Sequence, residues 1–199
     1  EAVDRSLARA HLSPNSSNMQ LWEFYRFKTP AKRDELAGLC LGQNAAATAR
    51  EMVVFVVRRD LWRSRCDSVL DLQAQYFREA FGPDMTKQQR RVLHYWEKLI
   101  PRLYSSGFGF FDLTKRIFAF FAGISSPMSR EVTSSDMRIS AHRSVALAAM
   151  TFMWSMAAEG YDSCPLEGFD SKRVKGLIGL PSGAEISMVV AVGSRADNG

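Results

Sequence analysis

The sequence has few cysteines, few histidines and no long uncharged apolar run. Cys40, Cys66 and Cys164 form an odd set without a C-x-x-C pair, so neither a disulfide framework nor a zinc site is expected. Reduced thiols of this kind point to the cytoplasm. No stretch of about 18 apolar residues lacks charge, so no membrane span is expected, and no signal-peptide pattern opens the chain. There is no G-x-G-x-x-G, which disfavours a Rossmann dinucleotide domain. No internal repeat or low-complexity tract is present, and no Ser-His-Asp or Cys-His pattern suggests a nucleophilic side chain. The 26 basic residues outnumber the 21 acidic ones, but they are scattered, with pairs such as Arg58-Arg59 and Arg90-Arg91 as the longest runs. Nucleic-acid binders gather such charge on one face. A diffuse basic surface suits anionic small molecules such as nucleotide phosphates instead.

What is present fits one α+β domain of 199 residues, 46% of them hydrophobic. Helical spacing of Val3, Leu7 and Ala10 predicts a helix over 2–12, stopped at Pro14. Alternation over Trp22–Lys28 predicts a strand. Residues 32–49 read as one helix with Gly42 as its weak point. The β-branched run Met52–Arg58 reads as a buried strand. Charged amphipathic helices fill 60–100 and break at Gly82-Pro83. An Ala- and Met-rich helix over 135–159 is apolar nearly all round, as a central or interface helix would be. A short helix over 171–178 and a buried strand over 186–192 complete the pattern. The chain opens at Glu1 inside a helical pattern and stops abruptly at 197–199, so further sequence is expected at both ends.

Two segments stand out. Ser13–Trp22 (SPNSSNMQLW) is a run of small donors and acceptors that could hydrogen-bond a polar ring or a phosphate. The same composition also suits an ordinary turn. Gly160–Asp170 (GYDSCPLEGFD) offers Gly168 for close approach of a ligand to backbone, Glu167 as a carboxylate, and Asp170 as a cap for the next helix. It also reads as a plain connection between helices, interrupted by a proline.

Taken together and in this order, the two segments resemble the nitroreductase superfamily. Its members carry a loop like S-P-S-S-x-N-x-Q-P-W early, and late a G-x-x-x-x-P-I-E-G-F-D followed by a short helix, a G-L-P turn and an apolar strand ending in Gly. Here the turn is Gly179-Leu180-Pro181 and the strand closes at Gly193. The resemblance covers residues 1 to about 58 and about 135 to 193. It implies a three-layer sandwich with a central mixed, mainly antiparallel sheet flanked by helices, in a homodimer with FMN between the subunits. The implied activity is ping-pong hydride transfer from NADH or NADPH through flavin N5 to a nitroaromatic, a quinone or a similar small acceptor.

By position, Pro14, Asn15, Ser16 and Asn18 would contact the FMN ring and ribityl chain. Pro165, Leu166, Glu167 and Gly168 would lie along the ring face with backbone near N5, and Gln43 or Asn44 would hold the pyrimidine edge. The family's Arg-Arg-Ser stretch that grips the phosphate has no counterpart, leaving Arg195 as the basic residue after the last strand. Leu21 stands where proline is usual. Residues of about 60–134 match no family pattern. Their Phe and Gly content suits an aromatic lid over a flat ring, with Tyr104, Phe108 and Phe111 as candidates, or equally a core or dimer contact. His11 abuts the early loop, His142 reads as a satisfied core or interface histidine, and Cys164 as a buried, inert thiol. Two alternatives remain at this point: a non-catalytic flavin-binding protein of the same fold, or a basic interaction module without flavin.

Overall fold

A computed structural model describes residues 1–105 and 110–195. Phe108, with Gly107 and Gly109, and the chain end at 197–199 lie outside the described residues. The chain divides into two compact units. One comprises residues 1–16, 20–60 and 142 onward, and the other comprises 17–19 and 61–141.

The first unit is built on a four-stranded sheet of order β1-β2-β4-β3. Its strands are β1 (Trp22–Phe27), β2 (Glu51–Val57), β3 (Asp162–Leu166) and β4 (Glu185–Gly193). The sheet was expected to be mixed, but all three pairings are antiparallel among the described residues. Each strand enters from the end opposite its neighbour, so no two adjacent strands share a direction. β2 is central, and Met52 through Val57 are all fully buried. Their side chains alternate between the two faces, which explains why the run is apolar without a polar alternation.

On one face Met52, Val54 and Val56 pack with Leu36, Cys40, Ala46 and Val174. These come from α2 (Pro30–Gly38), α3 (Asn44–Ala47) and α9 (Ser171–Ile178). The expected single helix over 32–49 is therefore two. Leu41 and Gly42 both take positive φ, 52° and 73°, and this left-handed turn, which glycine adopts without strain, interrupts the helix. On the opposite face Phe55 lies 4.8 Å from Phe24 and 5.5 Å from Phe152 between ring centroids. Phe152 belongs to α8 (Ser134–Ala158), whose last part lies in this unit, so the sheet is covered on both sides. The other face of that part leaves Leu147, Met150 and Trp154 exposed.

The bulge between Phe55 and Val56 leaves Ser187 of β4 without a partner on β2. Such an extra residue re-aims a side chain, and here the Ser187 hydroxyl meets His142 Nδ1 at 3.3 Å while His142 Nε2 faces Glu185 at 3.4 Å. His142 is thus a partnered histidine.

α1 (Ala2–Ala10) buries Val3, Ser6 and Ala10, one stripe of a helix, and it is tied to the end of α8. Glu159 accepts from Arg5 Nη2 at 2.5 Å and from Arg9 Nη1 at 2.9 Å. The Arg5 guanidinium above all, with Arg9, holds the Glu159 carboxyl at about 2, down from its ordinary 4.5. A carboxyl depressed in the folded state stabilises above its unfolded pKa and loses that contribution as pH falls through the folded one. The difference in thermal midpoint between wild type and Glu159→Gln should therefore be full at pH 6. It should close as pH falls from about 4.5 to about 2, as followed by circular dichroism. A difference independent of pH would remove the ion pair as its cause.

The second unit is helical. α4 (Trp62–Phe81) ends at Gly82, with φ of 79°, and Pro83 prevents its continuation. α5 (Lys87–His94) starts with a capping box in which Thr86 and Gln89 satisfy each other's backbone N–H. A π-helical turn over Tyr95–Leu99 leads into α6 (Ile100–Tyr104), just before Pro101, which has no N–H to donate. α7 (Phe110–Ser125) follows. Cys66 is buried here and donates to the Trp96 carbonyl at 3.3 Å, and burial pushes its thiol pKa up, so it is inert toward thiolate chemistry.

Candidate functional site

The early loop is shaped by its own polar side chains. Ser13 is buried and donates to Thr151 Oγ at 2.8 Å. Asn15 braces the loop, donating to the Ser13 carbonyl at 3.2 Å and accepting from the Gln20 N–H at 2.8 Å. The Ser16 N–H reaches Ser144 Oγ at 3.1 Å. Ser17, Asn18 and Gln20 adopt left-handed φ of 54°, 50° and 48°. Such a conformation costs a non-glycine residue roughly 1–3 kcal/mol and collects at ligand sites. Pro14 and Ser16 are exposed and Asn15 half-buried in the first unit, whereas Asn18 falls in the second. His11 accepts from Trp22 Nε1 at 3.2 Å and lies 4.6 Å from the Phe24 ring, so its ring helps to fix the loop's base.

The late segment is not the simple connection that its composition allowed. Residues Asp162–Leu166 form β3, paired with β4 through Pro165↔Val190 and Leu166↔Val189. An edge strand tolerates a proline because only one side of it is paired. Leu166 is buried in the core, so its backbone alone can face a ligand. Cys164 was expected to be buried and is exposed, because an edge strand lacks a second neighbour to cover it. Glu167 is exposed and Gly168 half-buried beyond the strand. Asp170 caps α9 by accepting from the Arg173 N–H at 3.0 Å, as its position predicted.

The fold joins this segment to the turn before α3. Gln43 Nε2 donates to the Gly168 carbonyl at 2.5 Å and to the Cys40 carbonyl at 3.1 Å, across 125 positions in sequence. The Asp170 N–H also bonds the Leu39 carbonyl at 2.9 Å. A Cβ at Gly168 would stand 2.9 Å from Gln43 Nε2, so glycine is what permits this approach. Gln43, rather than the exposed Asn44, is the residue of that pair bonded to Gly168.

Arg195 stands two residues past β4 and makes a two-pronged contact with Asp162 at 2.9 and 3.0 Å. That hydrogen bond holds the Asp162 carboxyl below its ordinary range. An exposed pair of this kind is weakly held and screened by solvent, so an anion of higher charge could take Asp162's place. Sequence reasoning did not single out Arg50, an exposed residue whose backbone N–H bonds the Val192 carbonyl at 2.8 Å. Only the β2–β4 register reveals that neighbourhood. Beside Asp162 a hollow of about 180 Å³ is lined by Ala45, Thr48, Ser163, Cys164 and Ser194. Enclosed ligand pockets hold roughly 300–1,000 Å³, so this hollow could hold only part of a larger ligand.

A profile described as the nitroreductase family matches residues 1–194. The chain is 26% identical over 196 residues to Protein DrgA of Synechocystis sp., covering 98% of this chain and 74% of that protein. A nitroreductase family protein from Streptococcus pneumoniae TIGR4 shares the fold at a TM-score of 0.64 and 19% identity, over 98% of this chain and 80% of that one. A structure from Exiguobacterium sibiricum 255-15, in complex with FMN, superposes at a TM-score of 0.63 and 19% identity, over 98% of this chain and 78% of that one.

Proposed function

The chain belongs to the nitroreductase family, and from that premise we propose that it is an FMN-dependent oxidoreductase. It takes hydride from NADH or NADPH and delivers electrons to a nitroaromatic, a quinone or a similar small acceptor. The observation that carries this reading is the Gln43–Gly168 bond, which joins the turn before α3 to the late motif. The polar groups fit the edge of a flavin ring. Gln43, with Nε2 donating to the Cys40 and Gly168 carbonyls, keeps Oε1 as an acceptor, and Asn15 and Ser16 border a braced, strained loop.

When bound, FMN would supply the two-electron chemistry that no amino-acid side chain provides. The chain's own residues hold and orient it. Pro14, Asn15, Ser16 and Asn18 take the ring and ribityl chain, and Gln43, with Asn44 beside it, takes the pyrimidine edge. Pro165, Leu166, Glu167 and Gly168 present backbone to the reactive edge. A backbone donor fixed there stabilises added negative charge without reorganising. Arg195, released from Asp162, would hold the phosphate. No side chain acts as a nucleophile.

The same reading makes the protein a cytoplasmic homodimer. The exposed stripe Leu147, Met150 and Trp154 on α8 supplies apolar surface for the subunit contact. No described helix is long and apolar enough to cross a membrane.

The test is the visible spectrum of the purified protein after incubation with FMN, followed by stopped-flow mixing with NADH or NADPH. Flavin bands that bleach on mixing are expected. Bands that persist would leave a flavin-binding protein without this activity. A protein that takes up no FMN would overturn the reading.

A further inference from the structure

Between Ser16 and Asn18, which are assigned to FMN above, Ser17 stands at a variable position of the loop pattern. Its hydroxyl shares a hydrogen bond of 2.5 Å with the Tyr95 hydroxyl, 78 positions on. Both residues belong to the helical unit. Tyr95 lies in the region of about 60–134 that matches no family pattern, so this tie comes from outside both motifs.

The backbone at this point needs ties. Of residues 17–20, Ser17, Asn18 and Gln20 all take left-handed φ. Residues with a Cβ keep that conformation only where the surroundings over-determine it. Met19, 1% exposed, is sunk into the protein, and Asn15 Oδ1 accepts from the Gln20 N–H at 2.8 Å. The Tyr95 hydroxyl fixes the remaining end of the stretch, at Ser17.

Tyr95 is itself held firmly. It is the first residue of the π-helical turn Tyr95–Leu99, and its carbonyl accepts from the Ile100 N–H, five residues on. In the same register the Trp96 carbonyl would need an N–H from residue 101, and Pro101 has none. The Cys66 thiol donates to that carbonyl instead, at 3.3 Å. Trp96 is buried and stands edge-on to the Tyr95 ring, with centroids 5.2 Å apart. The hydroxyl is therefore presented by a fixed ring, so little rotamer freedom is lost on meeting Ser17. π-helical turns of this kind are frequent at functional sites.

We infer that Tyr95 is a positioning residue: through Ser17 it holds the early loop in the left-handed shape that presents Ser16 and Asn18 to FMN. This rests on the flavin reading above and adds to it a residue outside the family motifs.

The experiment compares the wild-type chain with Tyr95→Phe, Ser17→Ala and the double variant. Phenylalanine keeps the ring against Trp96 and removes the hydroxyl alone. Fluorescence titration of apo-protein gives the FMN dissociation constant, and amide hydrogen exchange without FMN follows the loop. Each single variant is expected to weaken FMN binding about fivefold, as the loss of one hydrogen bond implies. The double variant should lose no more than either single one, because both changes remove the same bond. The Gln20 amide should exchange about fivefold faster in Tyr95→Phe, as local opening of the loop becomes easier. Unchanged FMN affinity in Tyr95→Phe, even with a lower midpoint in urea, would show a merely structural tyrosine and overturn the inference while the flavin reading stands. Losses that add in the double variant would overturn it too, since the hydroxyls would then act apart, and so would a Gln20 amide that keeps its wild-type rate. A wild-type chain that takes up no FMN would overturn both.

Discussion

Phe152→Ala is expected to lower the free energy of unfolding by about 3–5 kcal/mol, the usual range for removing a buried phenylalanine. Phe152 is fully buried, and with Phe55 and Phe24 it forms a chain of rings from α8 to the edge strand β1. Truncation leaves a cavity against β2, a strand with buried neighbours on both sides that cannot readily move in to fill it. Domains are stable by only about 5–15 kcal/mol, so one substitution removes a large share. Urea unfolding at fixed protein concentration measures the effect, with the exposed Lys32→Ala as a control expected to stay within about 0.5 kcal/mol. A loss below about 1 kcal/mol would mean that α8 does not hold the sheet through this ring.

The second large effect belongs to the site. Gly168→Val should weaken FMN retention tenfold or more, equivalent to about 1.4 kcal/mol, while leaving the fold intact by circular dichroism. The added side chain would occupy the space where the Gln43 amide is held between two carbonyls. It would displace the amide and cover the backbone assigned to the ring. Gln43→Ala removes the same tie without adding bulk, so it should reproduce part of the loss. Fluorescence titration of apo-protein with FMN reads both variants. Wild-type affinity in Gly168→Val would place the ring elsewhere.

The sequence makes the central strands plain because burial on both faces demands an unbroken β-branched run, as in Met52–Val57. β1 shows through its alternation of aromatic and polar residues. β3 escapes detection for the converse reason. Asp162–Leu166 is short, half polar and contains a proline, and only its place at the sheet edge makes it a strand. The break between α2 and α3 shows in the sequence only as Gly42, because helix-forming residues lie on both sides of it and Leu41, the other left-handed residue of the turn, carries no such signal. The motif residues of the site are legible one by one. Their meeting is not: Gln43 finds Gly168, and Arg50 finds the end of β4, only through pairings between strands distant in sequence.

Among the described residues the sheet ends at β1 and β3, and a free sheet edge invites other chains to add strands, the first step toward aggregation. This protein closes off the two edges by different means. β1 carries Arg26, paired with Glu51 and Asp4, and it is bordered by Arg58, paired with Glu23 and Asp60, so an incoming strand would have to strip charges from their partners. β3 relies on brevity and on Pro165, which has no N–H to offer a newcomer. The proline that belongs to the candidate flavin-binding motif therefore also acts as a gatekeeper: a substitution there that spared FMN binding could still promote fibrous self-association through the edge it exposes.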